Sequence, residues 1–303
     1  MDSPIQPTAD PALNQAYLDL RREARANGLH GRTRTIYAVY GLFLAAGIAI
    51  SVALLAITAN PLVQAVNAVF LAFVLVQGGM LAHDLTHGQV FASHRANALF
   101  GSLTWALLNG ISQSRWYAQH NAHHVHVNQD GHDPDLGIPF RFSPEQTNDG
   151  ALVRFFRPYQ HMWFFAALPL VYPGMVLGSV AHNLRNMTPA AAAELVLIAV
   201  HFAGFFAITF FFLPIPTALL FFALHFVVGG LYMGVVFAPN HKGEEVLKAS
   251  QAVTWLHQIT STRNIFASRW AFVVFGGLNF QIEHHLFPSM SRFKAWDAQK
   301  LVR

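Results

Sequence analysis

Seven histidines fall into three short groups that lie far apart in the chain, and imidazole is a common ligand of transition metals. In a helix, residues three and four apart share one face, with Cβ atoms about 5–6 Å apart, so closely spaced histidines can bind one ion together. The pattern therefore predicts a metal centre. The groups, called boxes 1, 2 and 3 below, are His83-Asp84-Leu85-Thr86-His87, His120-Asn121-Ala122-His123-His124 and Gln281-Ile282-Glu283-His284-His285.

The number and type of these residues narrow the metal chemistry. The chain has no cysteine, which excludes disulfides, zinc–thiolate sites, cysteine-ligated iron–sulfur clusters and a thiol nucleophile. Imidazole suits iron, copper, zinc and nickel. Seven histidines exceed the roughly four ligands of a zinc site, so we expect two metal ions. Asp84, Asn121 and Glu283 each adjoin a histidine and are predicted to orient it by hydrogen bonding. Beyond the metal ligands, no catalytic residue is predicted.

Two classes of reaction suit a pair of histidine-bound metals. One is hydrolysis through a metal-bound hydroxide, as in a membrane hydrolase with two zinc ions. The other is activation of O2 at a di-iron centre, which these residues favour slightly. A histidine-rich metal transporter is a further alternative, but it needs ligands along a path inside the spans. The formal charge of +4 gives no indication of nucleic-acid binding.

The elements that position the boxes are predicted to be membrane helices. The chain is 53% hydrophobic and 11% charged, against roughly 25% charged residues in soluble domains. Four uncharged apolar stretches are each long enough to cross a ~30 Å hydrocarbon core, and short turns join them into two hairpins. Their ranges are about 36–58, 62–82, 195–213 and 217–238.

The remaining segments are predicted to form a tail and a cap. Residues 1–35 are expected to be a loose tail with a solvated amphipathic helix around Leu13–Ala26, and residues 36–303 the membrane domain, with a helical cap at 83–192 and 239–303. Within the cap, Ala96–Ile111 is short and Met162–Val180 is interrupted by prolines, so both are predicted to be interfacial or re-entrant.

The charges predict the sidedness of this arrangement. All 19 Lys and Arg residues fall in residues 1–35, 83–192 and 242–303, and neither hairpin turn contains one. With four spans these segments share one face, which the positive-inside rule makes cytoplasmic. The three boxes are therefore expected on the cytoplasmic face.

The three boxes resemble those of membrane fatty acid desaturases, and the resemblance extends in order and spacing over roughly residues 60–303. Box 3 opens with a glutamine, Gln281, and in this it resembles box 3 of the front-end desaturases and of their bacterial acyl-lipid and acyl-CoA relatives. The resemblance implies an all-α integral membrane fold with four transmembrane helices and a cytosolic cap. It also implies two iron ions, O2 as co-substrate, and insertion of a cis double bond into a long-chain acyl group.

Carried over residue by residue, the resemblance implies a ligand set. His241 resembles the family's additional ligand, and Asn240 is a water-mediated partner. Gln281 is expected to be a weak carbonyl ligand or to lie behind the ligands, whereas His126 and His132 match no ligand position. The implied metal ligands are His83, His87, His120, His123, His124, His241, His284 and His285.

The resemblance also implies partners. Residues 1–35 are too short for a fused cytochrome b5 domain, so electrons are expected from a separate ferredoxin or from cytochrome b5 with its reductase. The acyl group is expected on CoA, a carrier protein or a lipid, in a setting of membrane lipids. An acyl hydroxylase or acetylenase of the same di-iron type is the alternative. The chain ends at Arg303, sooner after box 3 than is usual in the family, which leaves the completeness of the cap open.

Overall fold

A computed structural model describes residues 6–138, 140–144, 146 and 150–303. The start of the predicted tail (1–5) and a few positions of the predicted cap (139, 145, 147–149) lie outside the described residues. The part of the chain that is described is helical, with two isolated β-bridges and no strand. Its helices are α1 Pro11–Ala26, α2 Arg34–Ile57, α3 Pro61–Thr86, α4 His94–Ser102, α5 Gln113–His126, α6 Ala151–Phe156, α7 Gln160–Ala167, α8 Val171–Arg185, α9 Pro189–Phe212, α10 Ile215–Phe237, α11 Trp255–Thr260, α12 Arg269–Val274, α13 Gln281–Leu286 and α14 Ala295–Val302.

Several of these helices are long and apolar, which confirms the prediction of an all-helical chain with membrane helices. Five stretches among the described residues have the length and hydropathy of a membrane span. Four of them, α2, α3, α9 and the run Ile215–Asn240, begin and end within a few residues of the predicted spans, except that α3 continues past residue 82 to Thr86 and α9 begins at Pro189. The fifth is Arg157–Arg185. The four-span topology therefore stays a prediction.

The fifth stretch overlaps the segment that the prolines were predicted to interrupt. It is built from α7 and α8 with short 3₁₀ turns at Arg157–Tyr159 and Leu168–Leu170. Pro169 lies in the second turn, because a proline lacks the N–H that a continuous helix needs. This stretch is thus helical along its length, and its helix changes to a 3₁₀ turn at Pro169, one of the two prolines predicted to interrupt it.

The described residues divide into two units, of which unit 2 comprises residues 33–116 and 166–235. Gly47 of α2 allows close packing, since a Cβ there would lie 2.8 Å from Val74 of α3. Gln64 closes the first hairpin by donating from Nε2 to the carbonyls of Leu54 and Thr58, at 2.8 and 2.7 Å. Polar side chains thus satisfy the backbone groups that the end of α2 leaves free.

Unit 2 also holds a buried carboxylate. Glu194 of α9 accepts from the hydroxyls of Ser112 and Ser114, at 2.6 and 2.9 Å, and from the side-chain amide of Asn183, at 3.1 Å. The backbone N–H of Ser114 also donates to it, at 3.1 Å. Several donors thus satisfy the oxygens of this side chain, and they tie the start of α5 to α9.

Unit 1 comprises residues 1–32, 117–165 and 236–303. The predicted solvated helix is α1, which begins at Pro11, two positions before the expected start. That helix is packed rather than solvated, because Tyr17 and Ala24 are buried against Trp255, Leu286 and Phe287. The ring of Tyr17 stacks on Trp255 with centroids 5.1 Å apart. The N-terminal helix is thereby part of the core that surrounds box 3.

Candidate metal centre

Box 1 lies in unit 2, at the C-terminal end of α3. His83 is in the last turn and His87 is the C-cap, with ring centroids 4.7 Å apart. Asp84 lies beside His83, with Oδ1 3.3 Å from Nδ1, and its other oxygen accepts from Tyr37 at 2.8 Å. Burial and the neighbouring His83 lower the pKa of His87 well below its usual value. Its imidazole is therefore neutral at pH 7, which is the form that binds metals.

Boxes 2 and 3 lie in unit 1 and bring two sets of imidazoles together. Box 2 lies in the helix α5, where its histidines share one face, and box 3 forms the short helix α13. We call the first set triad A and the second triad B. The ligand nitrogens of triad A all lie within 4.8 Å of one another. Triad A is His123, His241 and His285; triad B is His120, His124 and His284.

Each ring of triad A has its Nδ1 next to an oxygen. Nδ1 of His123 is 3.0 Å from Asp133, that of His241 is 3.1 Å from the carbonyl of Ser261, and that of His285 is 2.9 Å from Oε1 of Gln258. A hydrogen bond at Nδ1 fixes the tautomer and leaves Nε2 with a lone pair. The three rings are thus held in the tautomer that has a lone pair on Nε2, and the Nε2 of His241 lies 3.1 Å from the side-chain amide nitrogen of Gln281.

Triad B is packed against triad A. Nε2 of His124 lies 3.1 Å from Nε2 of both His120 and His284. The ring centroids of His124 and His285 are 4.4 Å apart. Six imidazoles from boxes 2 and 3 and from the segment after α10 therefore form one contiguous cluster in unit 1.

Orphaned polar atoms test whether a metal fits this cluster. Nε2 of His285, Oδ1 of Asn240 and Oε1 of Gln281 are buried without a hydrogen-bond partner. A buried acceptor left unsatisfied costs about 1–3 kcal/mol, and a bound cation would remove that cost. Nitrogen and carbonyl donors at this density suit a borderline transition metal such as iron. The residues of unit 1 thus fit a histidine-bound metal.

The electrostatics of triad A centre on Asp133. Its carboxylate accepts the backbone N–H groups of Asn128 and Asp135, at 2.8 and 2.9 Å. Burial alone would raise the pKa of Asp133, but His123 and these hydrogen bonds lower it well below its usual value. Burial alone would lower the pKa of His123, but Asp133 and Asp135 raise it. The pair is held as a carboxylate beside an imidazole with raised basicity.

In the other two rings of triad A, His241 and His285, the pKa is lowered rather than raised. Burial, followed by the charge of His123, lowers the pKa of His241 well below its usual value. Burial, followed by His124, lowers that of His285 in the same way. Both rings are therefore neutral at pH 7 and ready to bind a metal.

The three residues predicted to orient the ligands differ in whether they lie beside an imidazole. Asp84 lies next to His83, as described above, but Asn121 is exposed on α5. Its expected role beside box 2 is filled by Asp133, ten residues beyond His123. Glu283 is buried and accepts from Asn264 at 2.8 Å rather than from an imidazole. Burial raises the pKa of Glu283.

Two further residues, Asp133 and Gln258, contact the imidazoles of triad A although the sequence did not predict them. Asp133 lies within Asp130–Asp135, a stretch whose three carboxylates could have indicated a hydrogen-bond partner for an imidazole of box 2. Gln258 donates from Nε2 to the carbonyl of His124 at 2.9 Å while its Oε1 faces His285. No pattern in the sequence distinguishes this glutamine from others. The placement of His83 and His87 relative to the triads stays a prediction.

Comparison with known proteins identifies relatives over most of the chain. A family model described as "Fatty acid desaturase" matches residues 59–303. The Delta(5) fatty acid desaturase fat-4 of Caenorhabditis elegans is 29% identical over 96% of this chain and 68% of its own length. An acyl-lipid (9-3)-desaturase of Borago officinalis is 29% identical over 92% of this chain and 66% of its own. Human fatty acid desaturase 3 is 29% identical over 79% of this chain and 55% of its own length. The chain therefore spans about half to two thirds of the length of these relatives.

Proposed function

From the premise that the chain belongs to the fatty acid desaturase family, we propose that it inserts a cis double bond into a long-chain acyl group, with O2 as co-substrate. The observation that carries the proposal is the six-imidazole cluster of triads A and B, in which every Nδ1 of triad A faces an oxygen. Such an arrangement presents several Nε2 lone pairs to metal ions. The relatives named above are desaturases, which supports the same activity.

The proposed cofactor is a pair of iron ions. Box 1 is proposed to complete the ligand set that triads A and B supply, giving His83, His87, His120, His123, His124, His241, His284 and His285. Asn240 and Gln281 are proposed as partners through water or through a carbonyl oxygen, because each has a buried oxygen without a hydrogen bond.

The reaction removes two hydrogens from adjacent methylenes. Together with two electrons from a donor and two protons, they reduce O2 to two molecules of water and leave a carbon–carbon double bond. Bound iron supplies O2 activation and the removal of hydrogen from an unactivated carbon. The chain contributes the orientation of the imidazoles through Asp133, Ser261 and Gln258, and it excludes water by burying triad A.

The proposed partners follow from the same chemistry. The acyl group is carried on CoA, a carrier protein or a lipid, and electrons come from ferredoxin or from cytochrome b5 with its reductase. The site is proposed to lie on the cytoplasmic face, because all 19 Lys and Arg residues fall in segments that four spans place on one side. Arg263 and Lys242 are proposed to dock an acidic donor protein or the phosphate of an acyl carrier. Arg263 is paired with Glu244, and Lys242 donates to the carbonyl of Asp135 at 2.7 Å.

Expression in a host with a compatible donor tests the activity. We expect new unsaturated fatty acids by mass spectrometry. His124→Ala is expected to abolish both the product and the bound iron while the protein still inserts into the membrane. His132→Ala is the matched control, because this exposed histidine lies outside the proposed ligands. Hydroxylated or triple-bonded chains would instead show a hydroxylase or acetylenase, and normal product from His124→Ala would exclude this residue as a ligand.

A further inference from the structure

Unit 1 has an apolar patch that no membrane span contains. In the described residues that follow the run Ile215–Asn240, four large apolar side chains are exposed, and three of them fall between residues 266 and 273. Phe266 is 77% exposed and Trp270 is 71% exposed, values close to the 79% of Leu62 on the predicted membrane helix α3. Side chains of this size are seldom so exposed together in water. The patch therefore has the properties of a surface that faces something other than water.

The patch is held rigidly from behind. The other side of α12 packs into unit 1, where Ala271 is buried and the ring of Phe272 lies 5.9 Å from that of Phe293. Ser268 caps the helix by accepting from the backbone N–H of Ala271 at 3.0 Å. The backbone beside Phe266 is fixed by Asn279, whose carbonyl accepts the N–H of Ile265 at 3.0 Å. The exposed side chains are thus displayed by a preformed scaffold.

The charges around the patch indicate its partner. Between residues 264 and 282 the sequence has no Asp or Glu, and its one charged residue is Arg269, exposed and adjacent to Trp270. Tryptophan and arginine side by side are typical of the lipid headgroup layer, where an indole lies at the boundary and a guanidinium binds phosphate. An electron-donor protein that docks on charge would instead need several cations on a polar surface.

The chain itself brings this patch to a membrane. The last candidate span ends at Asn240, and one short helix, α11, separates it from Phe266. We infer that the surface formed by Phe266, just before α12, and Trp270, in its first turn, docks unit 1 onto the lipid headgroup layer, with Arg269 contacting phosphate. The inference concerns unit 1 alone and does not depend on the proposed reaction.

Spin labels in a bilayer test the docking. The chain has no cysteine, so Phe266→Cys, Trp270→Cys and Ala252→Cys each give one labelling site. Ala252 is the matched control, because it is an exposed residue of unit 1 outside the patch. The proteins are reconstituted in vesicles of phosphatidylcholine with a minority of phosphatidylglycerol. Electron paramagnetic resonance then measures collision of each label with O2, which concentrates in lipid, and with a water-soluble nickel chelate.

We expect the labels at 266 and 270 to collide more with O2 than with the chelate, and the label at 252 to show the reverse. Chelate collision at 266 and 270 equal to that at 252 would overturn the proposal. Immobilised labels that meet neither reagent would also overturn it, because a protein partner or a second copy would then cover the patch. As a second measurement, the double variant Phe266→Ser with Trp270→Ser, labelled at the neighbouring half-buried residue Ala267→Cys, is expected to gain chelate collision several-fold. Its elution volume in gel filtration and its circular dichroism report whether it is folded.

Discussion

At the residue scale, the metal chemistry depends on which nitrogen of each imidazole is left with a lone pair. In triad A the acceptors at Nδ1 differ: a carboxylate for His123, a backbone carbonyl for His241 and a side-chain amide for His285. A carboxylate makes the opposite nitrogen the strongest donor of the three, because it stabilises positive charge on the ring. The rings of triad A are therefore chemically unequal before any metal binds.

Removing the charge of Asp133 tests whether the Nε2 of His123 is a stronger metal donor than the Nε2 of His241 or of His285. Asp133→Asn keeps the shape and an acceptor oxygen but loses the anion, so we expect metal affinity to fall roughly 10- to 100-fold. The measurement is iron content after dialysis against a graded series of chelator concentrations. Asp135→Asn is the control, because that carboxylate is 40% exposed and lies 3.6 Å from His123. Equal losses in the two variants would contradict a special role for Asp133.

Gln258 gives a second prediction, because one side chain contacts two boxes. Gln258→Leu keeps much of the volume but leaves Nδ1 of His285 and the carbonyl of His124 without their partner. We expect lower iron retention and a loss of about 1–3 kcal/mol in the free energy of unfolding. Gln258→Glu restores an acceptor for His285 and should recover iron binding in part. Full iron retention in Gln258→Leu would show that this hydrogen bond does not position the ring.

Sequence reasoning at this scale identified the imidazoles and missed what holds them. Histidine at helical spacing is visible without a structure, and box 2 lies in the helix α5. Asp133 and Gln258 reach the rings only through tertiary folding, over sequence separations of 10 and 27 residues. Asn121 is exposed on α5, and the orienting role inferred from its adjacency to His120 stays a prediction.

At the element scale, the difference between expectation and structure is largest for α1. Its amphipathic pattern predicts a helix, but a pattern does not distinguish a face that meets lipid from one that meets protein. The structure packs that face on α11, α13 and α14, where Leu286 and Phe287 directly follow box 3. The residues of α1 thus lie outside the matched family region, which begins at 59, and still pack on the core that surrounds box 3.

Tyr17 tests this support. Tyr17→Ala removes a buried ring that stacks on Trp255, so we expect the unfolding free energy to fall by about 3 kcal/mol. The measurement is thermal unfolding in detergent, followed by tryptophan fluorescence. Leu18→Ala is the matched control, because Leu18 is 49% exposed on the same helix, and it should shift stability by less than about 0.5 kcal/mol. An equal melting temperature for Tyr17→Ala and the unmodified protein would show that α1 does not support this core.

The positions of the apolar helices were largely predictable, because the hydropathy of a stretch depends only on the residues within it. Four predicted ranges have a helix of similar bounds. What hydropathy could not decide is whether Arg157–Arg185 crosses the membrane, since its length and composition suffice but its helix is irregular at Pro169. Length and apolarity are necessary for a span, and the position of flanking charge decides the rest.

At the scale of the whole molecule, the number of crossings determines where the boxes can meet. All 19 Lys and Arg residues lie in three segments. Four crossings put those segments on one face, whereas a fifth crossing at Arg157–Arg185 would separate residues 83–156 from residues 242–303. Boxes 2 and 3 supply the contiguous triads of unit 1, which requires them to share a face. The geometry of unit 1 therefore favours an even number of crossings between them.

Single cysteines in this cysteine-free chain test that conclusion. Leu152→Cys and Met187→Cys flank Arg157–Arg185, and Ala59→Cys and Ile215→Cys mark the two hairpin turns; all four residues are exposed. With a membrane-impermeant maleimide on intact cells, we expect labelling at 59 and 215 only. Labelling at 152 and 187 should require permeabilised cells, because the predicted four-span topology places both on the cytoplasmic side. If 152 and 187 respond oppositely, the fifth stretch crosses the membrane, and boxes 2 and 3 can share a face only if another predicted span does not cross.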